Sequence, residues 1–197
     1  MVKKSAMNHF PELSHWDVQL INHVIKNKWS MTAAPRLVNT LLSCKYIVEN
    51  KLPGDFIECG VWRGGHAIIA KSVFQRLGSE KKVYLFDTFD GMTQPSEHDV
   101  GIFESVAASE LFAKYKTGKG GSDWCLATID EVRENFLKSG CNLENVHMVK
   151  GDVMKTLPEF SGDISDVGVL RLDTDFYSST KIELEILYPK LIDRGVL

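Results

Sequence analysis

The chain has 197 residues, 44% of them hydrophobic, and a formal net charge of −3, which is ordinary for a globular protein with one core. The slight negative charge offers no basic surface for nucleic acid, and no run of about twenty apolar residues is present to span a membrane. The four cysteines are scattered without a C-x-x-C pair, which favours reduced thiols in a cytoplasmic protein over a zinc site or a disulfide framework.

Two helices are predicted in residues 1–53. Ser14 suits the N-cap of the first helix, and Pro35 suits the first turn of the second. We expect these helices to form the lid or substrate side of a core made by residues 54–197.

The stretch G-D-F-I-E-C-G-V-W-R-G-G, residues 54–65, predicts a strand, a glycine turn and the start of a helix over residues 65–77. This order is typical of the nucleotide-binding corner of a doubly wound sheet. The spacing differs from G-x-G-x-x-G, which argues against a bound pyrophosphate. Glu58, two residues before Gly60, suits a cationic ligand such as the amino group of S-adenosylmethionine. A tight strand–helix connection without a ligand is the alternative.

A second strand is predicted at residues 83–86, and it ends in D-T-F-D-G. Folds of this class hold the two ribose hydroxyls with an acidic residue at the end of the second strand, so Asp87 is a candidate for that contact. The alternative is an aspartate that only caps a turn.

The pattern weakens over residues 95–125, with a predicted helix at 103–115 and a flexible loop at 118–122. Such a long insertion usually covers an active site and selects the substrate. A surface loop is the alternative.

A helix at 128–138 and a third strand at 146–149 follow. Asp152, at the end of that strand, suits either an adenine amino group or the cap of a short helix. The last predicted strand, 167–172, leads into Asp173 and a final helix, for which Thr180 and Glu183 would form a capping box. That helix is expected to carry Leu191 and to end at residue 195.

Four acidic residues therefore follow four predicted strands: Glu58, Asp87, Asp152 and Asp173. In an open parallel sheet the carboxyl ends of the strands meet at one edge, where ligands bind. One shared site is a better explanation than four unrelated caps.

The motifs I-E-C-G-V-W-R-G-G, F-D-T-F-D-G, V-R-E-N-F, G-D-V-x-x-T-L-P and L-R-L-D-T-D-F-Y-S-S-T together resemble the macrocin O-methyltransferase (TylF/MycF) family. The resemblance runs from about residue 35 to the end of the chain. It implies a class I S-adenosylmethionine-dependent methyltransferase that modifies sugar hydroxyls, usually with magnesium. The implied fold is an α/β, Rossmann-like three-layer sandwich with a mostly parallel sheet.

The resemblance also implies a set of cofactor-binding residues at strand ends and in turns: Glu58, Gly60, Gly64, Gly65, Asp87, Thr88, Phe89, Gly91 and Asp152. The methionine end would lie at the first four, the ribose at Asp87 and the adenine near Asp152. Asp173 would bind the metal and act as the general base. Asp175 is a second candidate metal ligand, with a turn or cap acid as the alternative. Arg171 and Tyr177 are interpreted as structural. His66 follows the glycine turn and is a candidate cofactor contact, with an incidental histidine as the favoured alternative.

The family continues beyond residue 195 into a strand that ends in paired aspartates. We therefore expect strand five and the later C-terminal strands to be missing, either from a fragment or from a naturally shortened protein. The exposed edge at 167–172 would then need cover from another chain, for example in a homo-oligomer.

The favoured hypothesis is an S-adenosylmethionine-dependent O-methyltransferase acting on a small sugar-bearing molecule, with no nucleic-acid or membrane partner. A carboxylate would accept the proton of the acceptor hydroxyl, and magnesium would lower the pKa of that hydroxyl. The second hypothesis is a non-catalytic protein that binds the cofactor or a partner chain. A nicotinamide oxidoreductase is disfavoured, because G-x-G-x-x-G is absent.

Overall fold

A computed structural model describes residues 10–100, 108–116 and 122–197. The helices and strands, in chain order, are α1 (His15–Lys26), α2 (Ala34–Glu49), β1 (Asp55–Cys59), α3 (Gly65–Arg76), β2 (Val83–Asp87), α4 (Ala108–Lys114), α5 (Ile129–Lys138), β3 (Val146–Lys150), α6 (Val153–Phe160), β4 (Val167–Leu172), α7 (Tyr177–Leu187) and β5 (Leu191–Val196). Short 3-10 helices follow α6 and α7, at Ser161–Asp163 and Tyr188–Lys190.

The five strands form one parallel sheet in the order β3-β2-β1-β4-β5. The chain moves from β1 outward to β2 and β3, and later crosses to the other side of β1 to form β4 and β5. Ligands of open α/β sheets bind at this reversal, beyond the carboxyl ends of the strands. The pairing of β1 with β4 places Glu58 directly beside Arg171.

Side chains alternate between two hydrophobic cores, because neighbouring residues of a strand face opposite sides of the sheet. Phe56 of β1 packs into a core with α1, α2, α3 and α5. Ile57, the next residue, packs into a second core with α6 and α7. The predicted three-layer α/β sandwich with a parallel sheet is confirmed.

The predicted starts of the first two helices are also confirmed. The Ser14 hydroxyl accepts from the Asp17 N–H while the Asp17 carboxylate accepts from the Ser14 N–H, forming a capping box at α1. Pro35 lies in the first turn of α2, where its missing N–H costs no helical hydrogen bond. The division of the chain at residue 53 remains a prediction. α1 and α2 contribute to the same buried core as the sheet.

The expectation that strand five is missing is wrong, as is the helix predicted to run to residue 195. Pro189 cannot donate the backbone hydrogen bond that would extend α7, so the chain turns through a 3-10 helix and returns as β5. β5 pairs with β4 in parallel, so β4 is not an exposed edge. Arg194, in the left-handed region at φ 62°, accompanies an irregular register in this pair.

The capping box predicted at Thr180 and Glu183 is wrong as well. α7 begins at Tyr177, so both residues lie inside the helix, and Glu183 is completely buried. The helix predicted at 103–115 appears as α4 from Ala108. Its predicted start and most of the predicted 118–122 loop lie outside the described residues.

All four cysteines are free thiols, in agreement with the sequence. Among the described residues, none of the helices combines the length and apolar character needed to cross a bilayer.

Candidate functional site

A cavity opens at the carboxyl ends of β1, β2 and β4, where the strand order reverses. It encloses about 870 Å³ of empty space, including the open solvent at its mouth. Its wall is formed by the segment before α2, the turn from β1 to α3, the turns after β2 and β3, and the segment after β4.

Most of the residues predicted from the sequence line this cavity: Glu58, Gly60, Gly65, Asp87, Thr88, Gly91, Asp152, Asp173 and Asp175. The four strand-end acids therefore meet at one edge of the sheet, as expected. Gly64 and Phe89 do not line it. Gly64 is the N-cap of α3, and Phe89 is 1% exposed and packed in the core.

Arg171 connects two of these acids across neighbouring strands. Its Nη1 donates to Glu58 Oε1 at 2.9 Å, and its Nη2 donates to Asp173 Oδ2 at 2.7 Å. Burial raises the pKa of Glu58, and Arg171 opposes this effect. Glu58 Oε2 is buried without a hydrogen-bond partner among the described residues. A buried acid with an unused oxygen on a cavity wall is suited to a cationic ligand.

Asp87 ties the turn after β1 to the end of β2. Its Oδ2 accepts from the backbone N–H groups of Val61 and Trp62, at 2.6 and 3.1 Å. Its Oδ1 accepts from the Phe89 N–H at 2.8 Å. The Thr88 hydroxyl lies 3.3 Å from Oδ1, but its single hydrogen has a nearer acceptor in the Gly91 carbonyl oxygen, at 2.5 Å. The three backbone bonds use three of the roughly four lone-pair sites of the carboxylate, so a ribose hydroxyl could donate to Asp87 without replacing the bonds that hold the turn.

Asp152 is the N-cap of α6, because its carboxylate accepts from the Met154 N–H at 3.0 Å. This is the capping alternative considered from the sequence. The same residue also lines the cavity, beside the end of β3.

The side chains at this cavity do not complete the magnesium site that the resemblance implies. No group of three or more His, Cys, Asp or Glu side chains in the described part of the chain could hold a metal ion. Asp173 and Asp175 supply at most two carboxylates, and one oxygen of Asp173 already binds the Arg171 guanidinium.

Two glycines allow chain segments to approach closely at the cavity. Gly60 has φ 83°, and a Cβ atom there would overlap the Asp173 carbonyl group. Gly65 leaves no room for a side chain, since its Cβ would lie 2.7 Å from both the Ser30 Cβ and the Trp29 carbonyl oxygen. The first contact brings the ends of β1 and β4 together, and the second brings the segment before α2 onto the turn.

His66 is part of the cavity wall, and both of its ring nitrogens have hydrogen-bond partners. It is 4% exposed and contacts the hydroxyls of Thr32 and Thr40 with its two ring nitrogens, at 2.9 and 2.7 Å. Burial lowers the pKa of His66 to about 3, with Arg171 and Arg36 adding to the effect, so the imidazole is neutral.

A second cavity lies between residues 98–100 and α7, and Asp175 lines both cavities. Asp99 accepts a hydrogen bond from the Tyr177 N–H at 2.7 Å, so it caps α7 from a distant part of the chain. The residue that occupies the N-cap position itself, Phe176, has no side chain able to do this. Trp124 stacks edge-on against Phe176 and His98 lies 5.3 Å from the Tyr177 ring, which gives this cavity an aromatic wall.

Arg171 and the Ser30–Thr32 pair were missed from the sequence as parts of the site, and the incidental alternative was favoured for His66. For Arg171 a signal was present, because a charged residue interrupts an apolar strand two positions before its terminal acid. For His66 the signal was its place directly after the glycine turn, and for Ser30 and Thr32 the local pattern gave none.

The chain matches the family model of macrocin O-methyltransferase (TylF) over residues 23–197. It is 30% identical over 167 residues to the 8-demethyl-8-(2,3-dimethoxy-alpha-L-rhamnosyl)-tetracenomycin-C 4'-O-methyltransferase of Streptomyces olivaceus, a match that covers 84% of this chain and 59% of that protein. It is 31% identical over 166 residues to the demethyldecarbamoylnovobiocin O-methyltransferase of Streptomyces niveus, with the same two coverages of 84% and 59%.

Solved structures agree with these matches. The O-methyltransferase NovP superimposes with a TM-score of 0.64 at 30% identity, covering 82% of this chain and 62% of that chain. The calicheamicin methyltransferase CalS11, at a TM-score of 0.59 and 19% identity over 96% of this chain and 80% of that chain, supports the fold alone. The chain spans about three fifths of the length of the curated relatives that it matches. The extent of the family match shows that the chain belongs to the macrocin O-methyltransferase family.

Proposed function

We propose that this chain contains the donor site and the base of an S-adenosylmethionine-dependent O-methyltransferase that acts on a hydroxyl of a sugar or sugar-bearing small molecule. One observation carries the proposal. In a member of this family, Arg171 joins a buried acid suited to a cationic donor, Glu58, to a second acid on the cavity wall, Asp173. Donor and acceptor chemistry would thus meet at the ends of two adjacent strands.

The donor would occupy the cavity along the ends of β1, β2 and β3. Glu58 would receive the ammonium group at its unpartnered Oε2, beside the glycine turn at residues 60–65. Asp87 and the residues that follow it would flank the ribose, and Asp152 would lie near the adenine. When bound, S-adenosylmethionine supplies the methyl group as part of a sulfonium, whose sulfur leaves as a neutral thioether.

Asp173 would accept the proton of the acceptor hydroxyl as the new C–O bond forms. Arg171 holds Asp173 Oδ2, which leaves Oδ1 as the oxygen for that proton. Because the guanidinium fork is planar and rigid, it also fixes the direction of the carboxylate. The main contribution of the protein to a displacement of this kind is alignment of the reactants.

Magnesium assistance through Asp173 and Asp175 is expected from the family resemblance alone. The described residues do not complete such a site, so no step above depends on a metal. Calorimetric titration of magnesium into the chain tests this expectation directly.

The acceptor would be a small molecule, and not nucleic acid or a membrane surface, in keeping with the net charge of −3. The names of the curated relatives point to sugar-bearing natural products as candidates. The second cavity, which shares Asp175 with the donor cavity, would take the acceptor. A cytoplasmic location and a homo-oligomer remain predictions.

A non-catalytic role through an open β4 edge loses its basis, since β5 covers that edge. The remaining non-catalytic alternative is a protein that binds the cofactor without catalysing methyl transfer. Methyl transfer to a panel of sugar-bearing compounds by the purified chain separates the two, with S-adenosylhomocysteine formation as the readout.

The test variant is Asp173→Asn, and the matched control is Asp130→Asn on the exposed face of α5. Loss of the base should reduce kcat by about 10²- to 10⁴-fold, with little change in donor affinity. Equal turnover by Asp173→Asn and the unmodified chain would remove Asp173 from the mechanism. Donor binding without turnover on any acceptor would support the non-catalytic alternative.

A further inference from the structure

The segment of residues 173–176 carries the proposed base, lines both cavities and leads from β4 directly into α7. On the side of the sheet, the Asp173 N–H donates to the Cys59 carbonyl at 2.8 Å. The Phe176 N–H closes a short turn by donating to the Thr174 carbonyl at 2.9 Å. Asp173 is thus fixed at its backbone by β1, and the rest of the segment depends on what it meets on the side of α7.

The middle of this segment has a strained backbone. Asp175 lies in the left-handed region at φ 67°, which residues with a side chain rarely adopt. Such a conformation persists only where the surrounding structure enforces it. Since Thr174 stands between Asp173 and Asp175 in the chain, a contact of the Thr174 side chain is well placed to enforce it.

Thr174 and Glu183 bring three unpartnered polar atoms together behind the cavity wall. The Thr174 hydroxyl oxygen and both carboxyl oxygens of Glu183 are buried without a hydrogen-bond partner in the described part of the chain. Burial raises the pKa of Glu183, and the neighbouring Thr174 side chain lowers it in part. Burial also raises the pKa of the Cys59 thiol and the charge of Glu183 adds to that effect, which places the carboxyl near the end of β1. Because a buried polar group without a partner is costly, the two side chains are suited to pair with each other.

This pairing does not depend on the ionisation of Glu183. A protonated carboxyl can donate to the Thr174 hydroxyl oxygen, and a carboxylate can accept the hydroxyl hydrogen. Either bond connects α7 with the centre of the segment that carries the base. Asp173 Oδ2 is already held by Arg171. The segment would then be fixed at its backbone by β1, at its carboxylate by Arg171 and in its middle by Glu183.

Building on the proposed function, we propose that Glu183 is a positioning residue whose carboxyl binds the Thr174 hydroxyl and so holds residues 173–176 in the conformation in which Asp173 and Asp175 line the cavities. Glu183 does not line either cavity. It therefore acts through Thr174 and contacts neither the donor nor the acceptor.

Amide hydrogen exchange tests this contact without any substrate. In Glu183→Leu, which replaces the acid by an apolar side chain of similar size, the Phe176 amide should exchange at least about tenfold faster. Glu183→Gln should keep the protection of that amide, because its side chain can still bond to the Thr174 hydroxyl. The matched control is Leu187→Val, which trims a completely buried residue one turn further along α7 and should leave the Phe176 amide unchanged.

Turnover measures the effect on the base. In both Glu183→Leu and Thr174→Val, kcat should fall by about 10- to 100-fold, since a small misplacement of a reacting group is costly. The affinity of these variants for S-adenosylhomocysteine should stay within about twofold of the unmodified chain. Glu183→Gln should retain most of kcat, and so should Leu187→Val.

The double variant Glu183→Leu/Thr174→Val separates positioning from a purely structural role. It should lose no more kcat than either single variant, because the two residues act as a pair. It should also recover stability against urea, because no polar group is then left buried alone. A purely structural role would restore kcat together with stability.

Unchanged exchange of the Phe176 amide in Glu183→Leu would overturn the proposal. An unchanged kcat in that variant would also overturn it, as would kcat losses that multiply in the double variant. Failure of the unmodified, folded chain to bind S-adenosylhomocysteine is a different result, since it would reject the proposed function, while the exchange measurement would still test the contact. If urea denaturation shows that Glu183→Leu does not fold, Glu183→Met replaces it in every comparison.

Discussion

Replacing Glu183 by glutamine should remove a pH dependence from the stability of the fold. Glu183 is 0% exposed, and neither carboxylate oxygen has a hydrogen-bond partner in the described part of the chain. Burial raises the pKa of Glu183 from 4.5 to about 7, and the nearby Thr174 side chain offsets only part of this. The folded protein therefore holds the proton of this carboxyl more tightly than the unfolded chain does.

The sign of the effect follows from this difference. Because the folded-state pKa is the higher of the two, the contribution of Glu183 is fully present below pH 4.5 and is lost as the pH rises through about 7. A difference of about 2.5 between the two pKa values, at roughly 1.4 kcal/mol for each unit, corresponds to a loss of about 3 to 4 kcal/mol. Glutamine does not titrate, so Glu183→Gln should be spared that loss.

Urea denaturation between pH 5 and pH 8.5 measures this pH-dependent loss of stability. The free energy of unfolding of Glu183→Gln, minus that of the unmodified chain, should rise by about 2 to 3 kcal/mol across this range, since part of the full loss has already occurred at pH 5. Any fixed cost of burying the amide cancels in that comparison. The control is Glu185→Gln on the same helix, where the side chain is 61% exposed and its difference should stay near zero. Parallel pH profiles for Glu183→Gln and the unmodified chain would refute the reasoning.

Two further changes test local features of the fold. Asp99→Ala removes the side chain that accepts from the Tyr177 N–H, so the free energy of unfolding should fall by about 1 kcal/mol. Asp99→Asn keeps an acceptor oxygen, so its free energy of unfolding should fall less. Equal losses of stability in the two variants would contradict the capping role. Gly60→Ala combines φ 83° with overlap of the Asp173 carbonyl and should reduce soluble expression or the thermal midpoint strongly, whereas Gly162→Ala, with open space around it, should not. Similar midpoints for the two alanine variants would show that the approach of β1 and β4 is not constrained at Gly60.

The elements that the sequence predicted correctly are those with a local cause. Apolar runs and a glycine turn are sufficient to predict β1, β2 and α3, and the Ser14 cap is completed within three residues. The errors occur where two local patterns compete. Thr180 and Glu183 match a capping box, yet the N-cap position of the helix is Phe176, four residues before Thr180, so Glu183 lies inside the helix and is buried.

β5 was missed because it follows α7 with no glycine turn between them, and because four of its residues are half-buried and two are exposed. Pro189 was the available signal, since a proline there ends the helix before residue 191.

The site was predictable to the extent that strand ends place residues at one edge. The carboxyl ends of parallel strands lie at one edge of the sheet, so this rule alone predicts that the strand-end acids lie close together. The bridge from Arg171 to Glu58 could not be predicted, because it joins residues 113 positions apart through the register of β1 and β4. The contacts of His66 with Thr32 and Thr40, 34 and 26 positions away, likewise depend on how α2 packs on α3.

The most direct test of the central claim is calorimetric titration of S-adenosylhomocysteine into the folded, monodisperse chain, compared with Glu58→Gln. We expect micromolar binding by the unmodified chain and affinity at least about tenfold weaker in the variant, because an ammonium group loses its charged partner. Absence of binding by the unmodified chain would contradict the donor site, and equal affinity in the two proteins would contradict the role of Glu58.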